Sequence, residues 1–322
     1  MKAAPFYLAL LALPLCAQVK LTQGSDRITI DINGKPFTAF FIGANTAKPY
    51  LHPLRAPSGK IVTRGYPMET IAGESQDHPH HRGLWFTHGE VNGIDFWANE
   101  DSQKGVNGKK GKVVVKKVGE LKSGKKSGSI DATFDWVDPQ GKAIILETRR
   151  MVFYAGPGPR VMDFDISLRA NEKVEFGDTK EGTFAIRLAA GLEEPMPKSL
   201  PNPKRTGLMT DSEGRSGEKA VWGKRAPWVD YAGELEGEKL GIAIMDHPGN
   251  PKHPTYWHSR SYGLFAANIF GERDFFSDKG RNGGMTLEAG NTLRFRYRVV
   301  IHPGDGQSAG IAAQYKKYAA MK

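Results

Sequence analysis

Val161-Met-Asp-Phe-Asp-Ile-Ser-Leu-Arg-Ala170 alternates apolar and polar residues from Met162 onward. A period of two is the mark of a strand with one face buried and one wet, and nine such residues exceed the usual strand length. Neighbouring segments repeat the pattern. On the N-terminal side are 143–154, 129–137 and 112–118, with Asp138-Pro-Gln-Gly141 as the turn between two of them. Residues 27–32 and 37–42 flank Asn33-Gly34, a pair favoured in two-residue hairpin turns. On the C-terminal side come 182–190, 228–234, 240–246 and 263–270. A closing pair, 284–288 and 293–302, is expected to turn at Ala289-Gly290-Asn291.

Only residues 307–321 have helical spacing, with Ile311, Ala312, Tyr315, Tyr318 and Ala319 on one side. A parallel sheet needs a crossover helix between successive strands, and none is present. The expected fold class is therefore all-β: a large antiparallel β-sandwich with a C-terminal helix, formed as one domain by residues 18–322. The irregular stretch 192–224 reads as a long surface loop bordering the site.

Residues 1–17 read as a signal peptide: Lys2, an apolar run over 6–16, and Leu15-Cys16-Ala17 as the exit. The chain is expected to be exported, to the periplasm or beyond. Cleavage after Ala17 removes the one cysteine, so disulfides and thiolate chemistry are not expected. The formal charge is +10, but the lysines fall in Gly-rich turns such as 105–117 and 122–126 and form no basic stripe. Nucleic acid is not an expected partner, nor is a membrane span expected.

The chemistry concentrates in Gly73-Glu-Ser-Gln-Asp-His-Pro-His-His-Arg-Gly-Leu-Trp-Phe-Thr-His88, which holds four of the nine histidines. Imidazole serves both proton transfer near neutral pH and transition-metal binding. Pro79 disfavours helix at His78, so the run is expected to be extended, with His78, His80 and Arg82 on one side and Asp77 and His81 on the other. The alternative is an exposed polar loop; the aromatics that follow argue for partial burial.

Three further groups could share the site. Asp178-Thr-Lys-Glu-Gly182 offers Lys180 and Glu181, either as a surface ion pair or as a carboxylate with its cation. Tyr256-Trp-His-Ser-Arg260, with Asn268 beyond it, offers Trp257 for the apolar face of a sugar ring and His258, Arg260 and Asn268 for its hydroxyls. Lys48-Pro-Tyr-Leu-His52 precedes Arg64 and Tyr66. The catalytic candidates are His78, His80, His81, Glu181 and His258; the binding candidates are His52, Arg64, Arg82, Trp85, His88, Lys180, Trp257, Arg260 and Asn268. Phosphate-loop, dinucleotide, His-Glu-x-x-His and Gly-x-Ser-x-Gly motifs are absent.

The run Asp77-His-Pro-His-His-Arg-Gly-Leu-Trp85, with Lys48-Pro-Tyr-Leu-His-Pro-Leu54, Gly93-Ile-Asp-Phe-Trp97, 178–182 and 256–260, resembles the PmoA-like family of exported bacterial proteins labelled methane oxygenases. That label implies a metal-dependent oxygenase, with His78, His80, His81 and Glu181 holding a divalent iron or copper ion. A looser likeness joins 287–305 to the last hairpin of galactose-mutarotase-like supersandwich domains. It implies a carbohydrate bound in a groove across one sheet, a histidine acting with a carboxylate, and a sugar or glycoside as substrate of a hydrolase, lyase or epimerase. A non-catalytic glycan-binding module is the third alternative.

Overall fold

The computed structural model describes residues 18–195 and 204–322. The expected signal peptide, Cys16 included, and residues 196–203 of the long loop lie outside the described residues.

Two eight-stranded antiparallel sheets form the frame. The first runs, in spatial order, β1 (Val19–Gln23), β2 (Arg27–Ile32), β3 (Lys35–Phe41), β4 (Tyr50–His52), β5 (Leu84–His88), β11 (Gly182–Arg187), β16 (Leu264–Asn268) and β15 (Tyr256–Ser259). The second runs β12 (Leu208–Asp211), β13 (Trp228–Leu235), β14 (Glu238–Asp246), β18 (Thr292–Pro303), β9 (Arg160–Ala170), β8 (Ala143–Tyr154), β7 (Ser127–Val137) and β6 (Lys112–Lys122). A small ribbon pairs β10 (Val174–Phe176) with β17 (Met285–Leu287). Short helices α1 (Glu218–Val221) and α2 (Glu272–Phe275) sit in loops, and α3 (Ile311–Ala319) closes the chain.

Alternation explains how the sheets meet. In β9, Met162, Phe164, Ile166 and Leu168 point inward and are almost wholly buried, while Asp163 and Asp165 point outward to Arg298 and Arg294 of β18. Across the interface Phe184 stacks on Tyr297 at 4.5 Å, Phe164 meets Phe184 at 4.9 Å, and Phe86 meets Phe295 at 5.4 Å. One continuous apolar core links both sheets. The Asn33-Gly34 turn has φ of 55° and 73°, the two left-handed residues that match the twist of a hairpin.

The structure corrects the closing pair. β17 bonds to β10, because β18 already has β14 and β9 on its two edges and no free hydrogen-bonding side remains. The C-terminal helix is also shorter than its apolar spacing suggests. Asp305 and Ser308 bond to each other and hold the chain in a turn, and the helix begins only after Gly310, at φ 66°. Ile311 and Tyr318 then pack on Ala243, Met245 and Val300, on the outer side of the second sheet. Among the described residues no helix is long and apolar enough to cross a membrane.

One polar pair lies inside the sandwich. Glu147 and Arg149 share the inward face of β8 at 2.6 Å; Trp136 Nε1 donates to Glu147 at 2.9 Å, and Phe134 lies 5.0 Å from the guanidinium. Arg149→Met is expected to cost about 3–5 kcal/mol, since it strands a buried carboxylate. A denaturant titration of the variant measures this, and an unchanged midpoint would contradict it. The double replacement Glu147→Leu with Arg149→Met should recover most of the loss.

Candidate active site

The histidine run gathers on the outward face of the first sheet. One cross-strand row reads Tyr50 (β4), Trp85 (β5), Ala185 (β11), Ala266 (β16) and His258 (β15). At about 4.8 Å per strand, Trp85 and His258 stand about 14 Å apart along this row. Two alanines keep the floor between them low, and Tyr262 packs over it.

The histidine run is a turn and not the extended segment expected. His78 takes φ of 45°, and the His81 amide donates to the His78 carbonyl at 3.0 Å. Strict alternation of faces is therefore lost, and the three imidazoles gather on one side. His81 stacks on Trp85 at 5.2 Å, His78 on His81 at 4.7 Å, and Tyr262 on His78 at 5.6 Å, while the His80 ring meets His81 edge-on. Trp85, His81, His78 and Tyr262 thus form a run of consecutively stacked rings, in which the His78 side chain, between the His81 and Tyr262 rings, is 42% exposed.

Asp77 anchors this column. Its carboxylate accepts from Arg64 Nη1 at 2.6 Å, lies 3.0 Å from Arg187 Nη2, and faces His78 Nδ1 at 3.2 Å. Burial pulls its pKa upward, but the His78 bond and the Arg187 and Arg64 charges outweigh this and hold the group well below the usual carboxylate range. An ionised Asp77 accepts the Nδ1 proton of His78, which leaves the lone pair of a neutral His78 on Nε2. Asp77 and Arg187 carry much of this geometry, and neither is among the candidates taken from the sequence. Arg187 was readable in outline: β11 alternates, so it shares the face of Ala185.

His80 and His81 stand behind His78. Arg187 donates to His81 Nδ1 at 3.1 Å, so the His81 proton lies on Nε2. His80 Nδ1 is held by the Gln103 amide at 2.6 Å. Burial is the main cause that lowers both, His80 to about 2 and His81 well below its ordinary value, and nearby cations add to it. Both are neutral at physiological pH and orient the column.

The opposite wall is His258, whose Nδ1 accepts from Trp222 Nε1 at 2.9 Å; burial, then Arg260 and Lys180, lower its pKa strongly. Arg260 donates to Glu218 of α1 at 2.7 Å, which ties part of the stretch 192–224 to this wall, while residues 208–211 of the same stretch form β12 and not the loop expected. Lys180 and Glu181 form a half-exposed ion pair at 2.9 Å. Tyr262 lies between the walls. Arg187 and Arg260 sit 4.8 and 5.4 Å from its ring, and its phenol, pushed up to about 12 by burial, feels both Asp77 and Glu181. The histidine run, Glu181 and His258 therefore share one face.

Other candidates play different parts. Trp85 and Trp257 are fully buried, Trp85 beneath His81 and Trp257 inside the sandwich with Nε1 bonded to the Ala226 carbonyl, so neither offers a ring to a sugar. His88 is buried against Phe270 and bonded to the Gly177 carbonyl, Asn268 ties Thr179 to Phe270, and His52 bonds Thr63. Arg82 turns away to Glu100 in a bidentate pair. Arg64 serves through Asp77. The triad His78, His80 and His81 does not fit a metal ion: lone pairs lie in the ring plane, and parallel stacked rings 4.7 Å apart cannot aim them at one point. Among the described residues no group of three His, Cys, Asp or Glu is arranged to hold one.

The model of a family described as of unknown function, DUF6807, matches residues 27–316. No curated protein matches the chain. Similar solved structures include the α-galactosidase from Lactobacillus brevis, at 11% identity and TM-score 0.41 over 90% of this chain and 40% of that one. A mutant heparan sulfate lyase from Pedobacter heparinus is similar at 8% and 0.42, over 94% and 38%. The galactose mutarotase related enzyme from Lactobacillus acidophilus is similar at 8% and 0.34, over 88% and 97%. The chain spans about two fifths of the length of the first two. Likenesses this distant assign no residue a role, and none of these matches names the PmoA-like family.

Proposed function

Because the chain belongs to the DUF6807 family, of unknown function, its activity has to be read from its own site, and we propose an exported carbohydrate-active enzyme that works by proton transfer on a bound sugar. The observation that carries this reading is the Asp77–His78 pair. A pinned carboxylate orients a half-exposed imidazole and leaves Nε2 as a general base.

In this reading the sugar lies against the outward face of the first sheet. His78 Nε2 takes a proton from a ring carbon made acidic by a neighbouring carboxylate or carbonyl. The Tyr262 phenol, fully protonated at working pH and stacked on His78 on the same side of the sugar, returns a proton to the leaving oxygen. Lys180 and Arg260 address the negative charge that develops on substrate oxygen, and Glu181 fixes Lys180. Elimination fits this set, because base and acid stand on one side of the sugar. Hydrolysis in its usual form uses two carboxylates facing the glycosidic bond, whereas here Asp77 is committed to Arg64, Arg187 and His78. The binding-module reading loses its two expected platforms, since both tryptophans are buried.

The test is to incubate the protein in D2O with a panel of uronic-acid and neutral glycosides and follow products by NMR. Deuterium entering a ring carbon, or an unsaturated sugar, is the expected result. Tyr262→Phe should slow it by about 10²-fold. Plain hydrolysis with no exchange at carbon would overturn the proton-transfer reading.

A further inference from the structure

The other outward face of the sandwich holds a cavity of about 810 Å³ between β12, β13 and the start of α3. Its volume lies in the range that takes a small ligand. Trp228, Leu208, Ala232 and Ala312 give it apolar walls, with Thr206, Thr210 and Ser212 hydroxyls among them. Leu208 is 51% exposed, which is unusual for a large apolar side chain on a strand.

Asp230 lines this cavity although it is only 3% exposed. Its Oδ1 is bound to His302 Nε2 at 2.8 Å, and His302 Nδ1 lies 3.1 Å from the Pro303 carbonyl. No described residue donates to Oδ2. Two glycines make the arrangement possible. A Cβ on Gly241 would come within 2.3 Å of the His302 ring, and one on Gly306 within 2.8 Å of Asp230 Oδ2. The backbone is thus cut away on both sides of a fixed carboxylate that no step of the proposed reaction uses.

Charge selects the ligand. Asp230, Glu234 and Asp305 face the cavity against Lys239, which Asp305 already binds at 2.8 Å. Anionic groups are repelled, hydroxyl donors are accepted by Oδ2, and the indole of Trp228 suits the apolar face of a ring. We propose that this cavity is a second, separate glycan site that takes an uncharged sugar ring, with Trp228 as its platform and Asp230 as its hydroxyl acceptor. The site lies on the sheet opposite the Asp77–His78 face and does not depend on the reaction proposed there.

Saturation-transfer NMR and calorimetry on the full chain test it, with lactose and N,N′-diacetylchitobiose as probes and glucuronic acid as the charged control. At least one neutral probe should bind at up to about 10 mM. Trp228→Ala should weaken it by about tenfold or more. Ala312→Trp, at an exposed helix position lining the cavity, should block it without touching the core. Turnover at the His78 face should be unchanged in both variants. The proposal fails if neither neutral probe binds, if binding survives both substitutions, or if glucuronic acid binds Trp228→Ala-sensitively as well as the neutral probes do.

Discussion

His78→Asn is expected to lower turnover by about 10²–10⁴-fold with little change in melting temperature. The choice of asparagine matters. His78 sits at φ 45°, a conformation that asparagine adopts at low cost, so the variant keeps the turn that carries His80 and His81. The side chain is 42% exposed, and its removal leaves Asp77 still held by Arg64 and Arg187. What disappears is the Nε2 lone pair that Asp77 leaves free. Steady-state kinetics on the substrate found by the glycoside panel, beside a thermal melt, separates the outcomes. Near wild-type turnover would remove His78 as the base, and a large fall in melting temperature would mean that the turn, not the chemistry, had been lost.

Acid should unfold this protein unusually early. Burial lowers six imidazoles, His247 among them, and five by a large amount: His52 and His88 to about 4, His80 to about 2, and His81 and His258 well below the ordinary value. An unfolded chain protonates all five near pH 6.5. Native pKa values below the unfolded value mean that this stability is complete above about pH 6.5 and is lost as pH falls toward the native values. Each group costs about 1.4 kcal/mol per pH unit, so five together approach roughly 7 kcal/mol per unit at most. Against a total stability of about 5–15 kcal/mol, the acid midpoint is expected near pH 5, above the carboxylate range. His302 has the opposite sign: although burial lowers it, the bond to Asp230 raises it overall, and its contribution fades only as pH rises. Circular dichroism against pH measures the midpoint. A native spectrum retained at about pH 4 would contradict the prediction.

Local pattern carried much of the fold. The strands at 143–154 and 27–32 were legible to the residue, because period-two burial and the Asn33-Gly34 turn are short-range effects. The short strands β4, β5, β12 and β15 were not, since three to five residues give too few alternations to recognise. Trp85 and Trp257 show a different limit. Alternation says that Trp257 and His258 face opposite ways, but not which of them faces the second sheet. The same gap hid Tyr262, whose turn has no motif, and made Pro79 read as a sign of extension where the chain in fact reverses.

Composition and spacing by themselves determined an antiparallel β protein, the concentration of imidazoles at 78–81 and the residue types available for proton transfer. Only the tertiary structure decided that Asp77 orients His78, that Arg187 and Arg64 fix Asp77, and that Glu181, His258 and Tyr262 come to the same face. The physical reason is the nature of the two interactions. Strand periodicity is written in adjacent residues, whereas the neighbours of a side chain across a sheet depend on register between segments about 170 positions apart, as Trp85 and His258 are in one row.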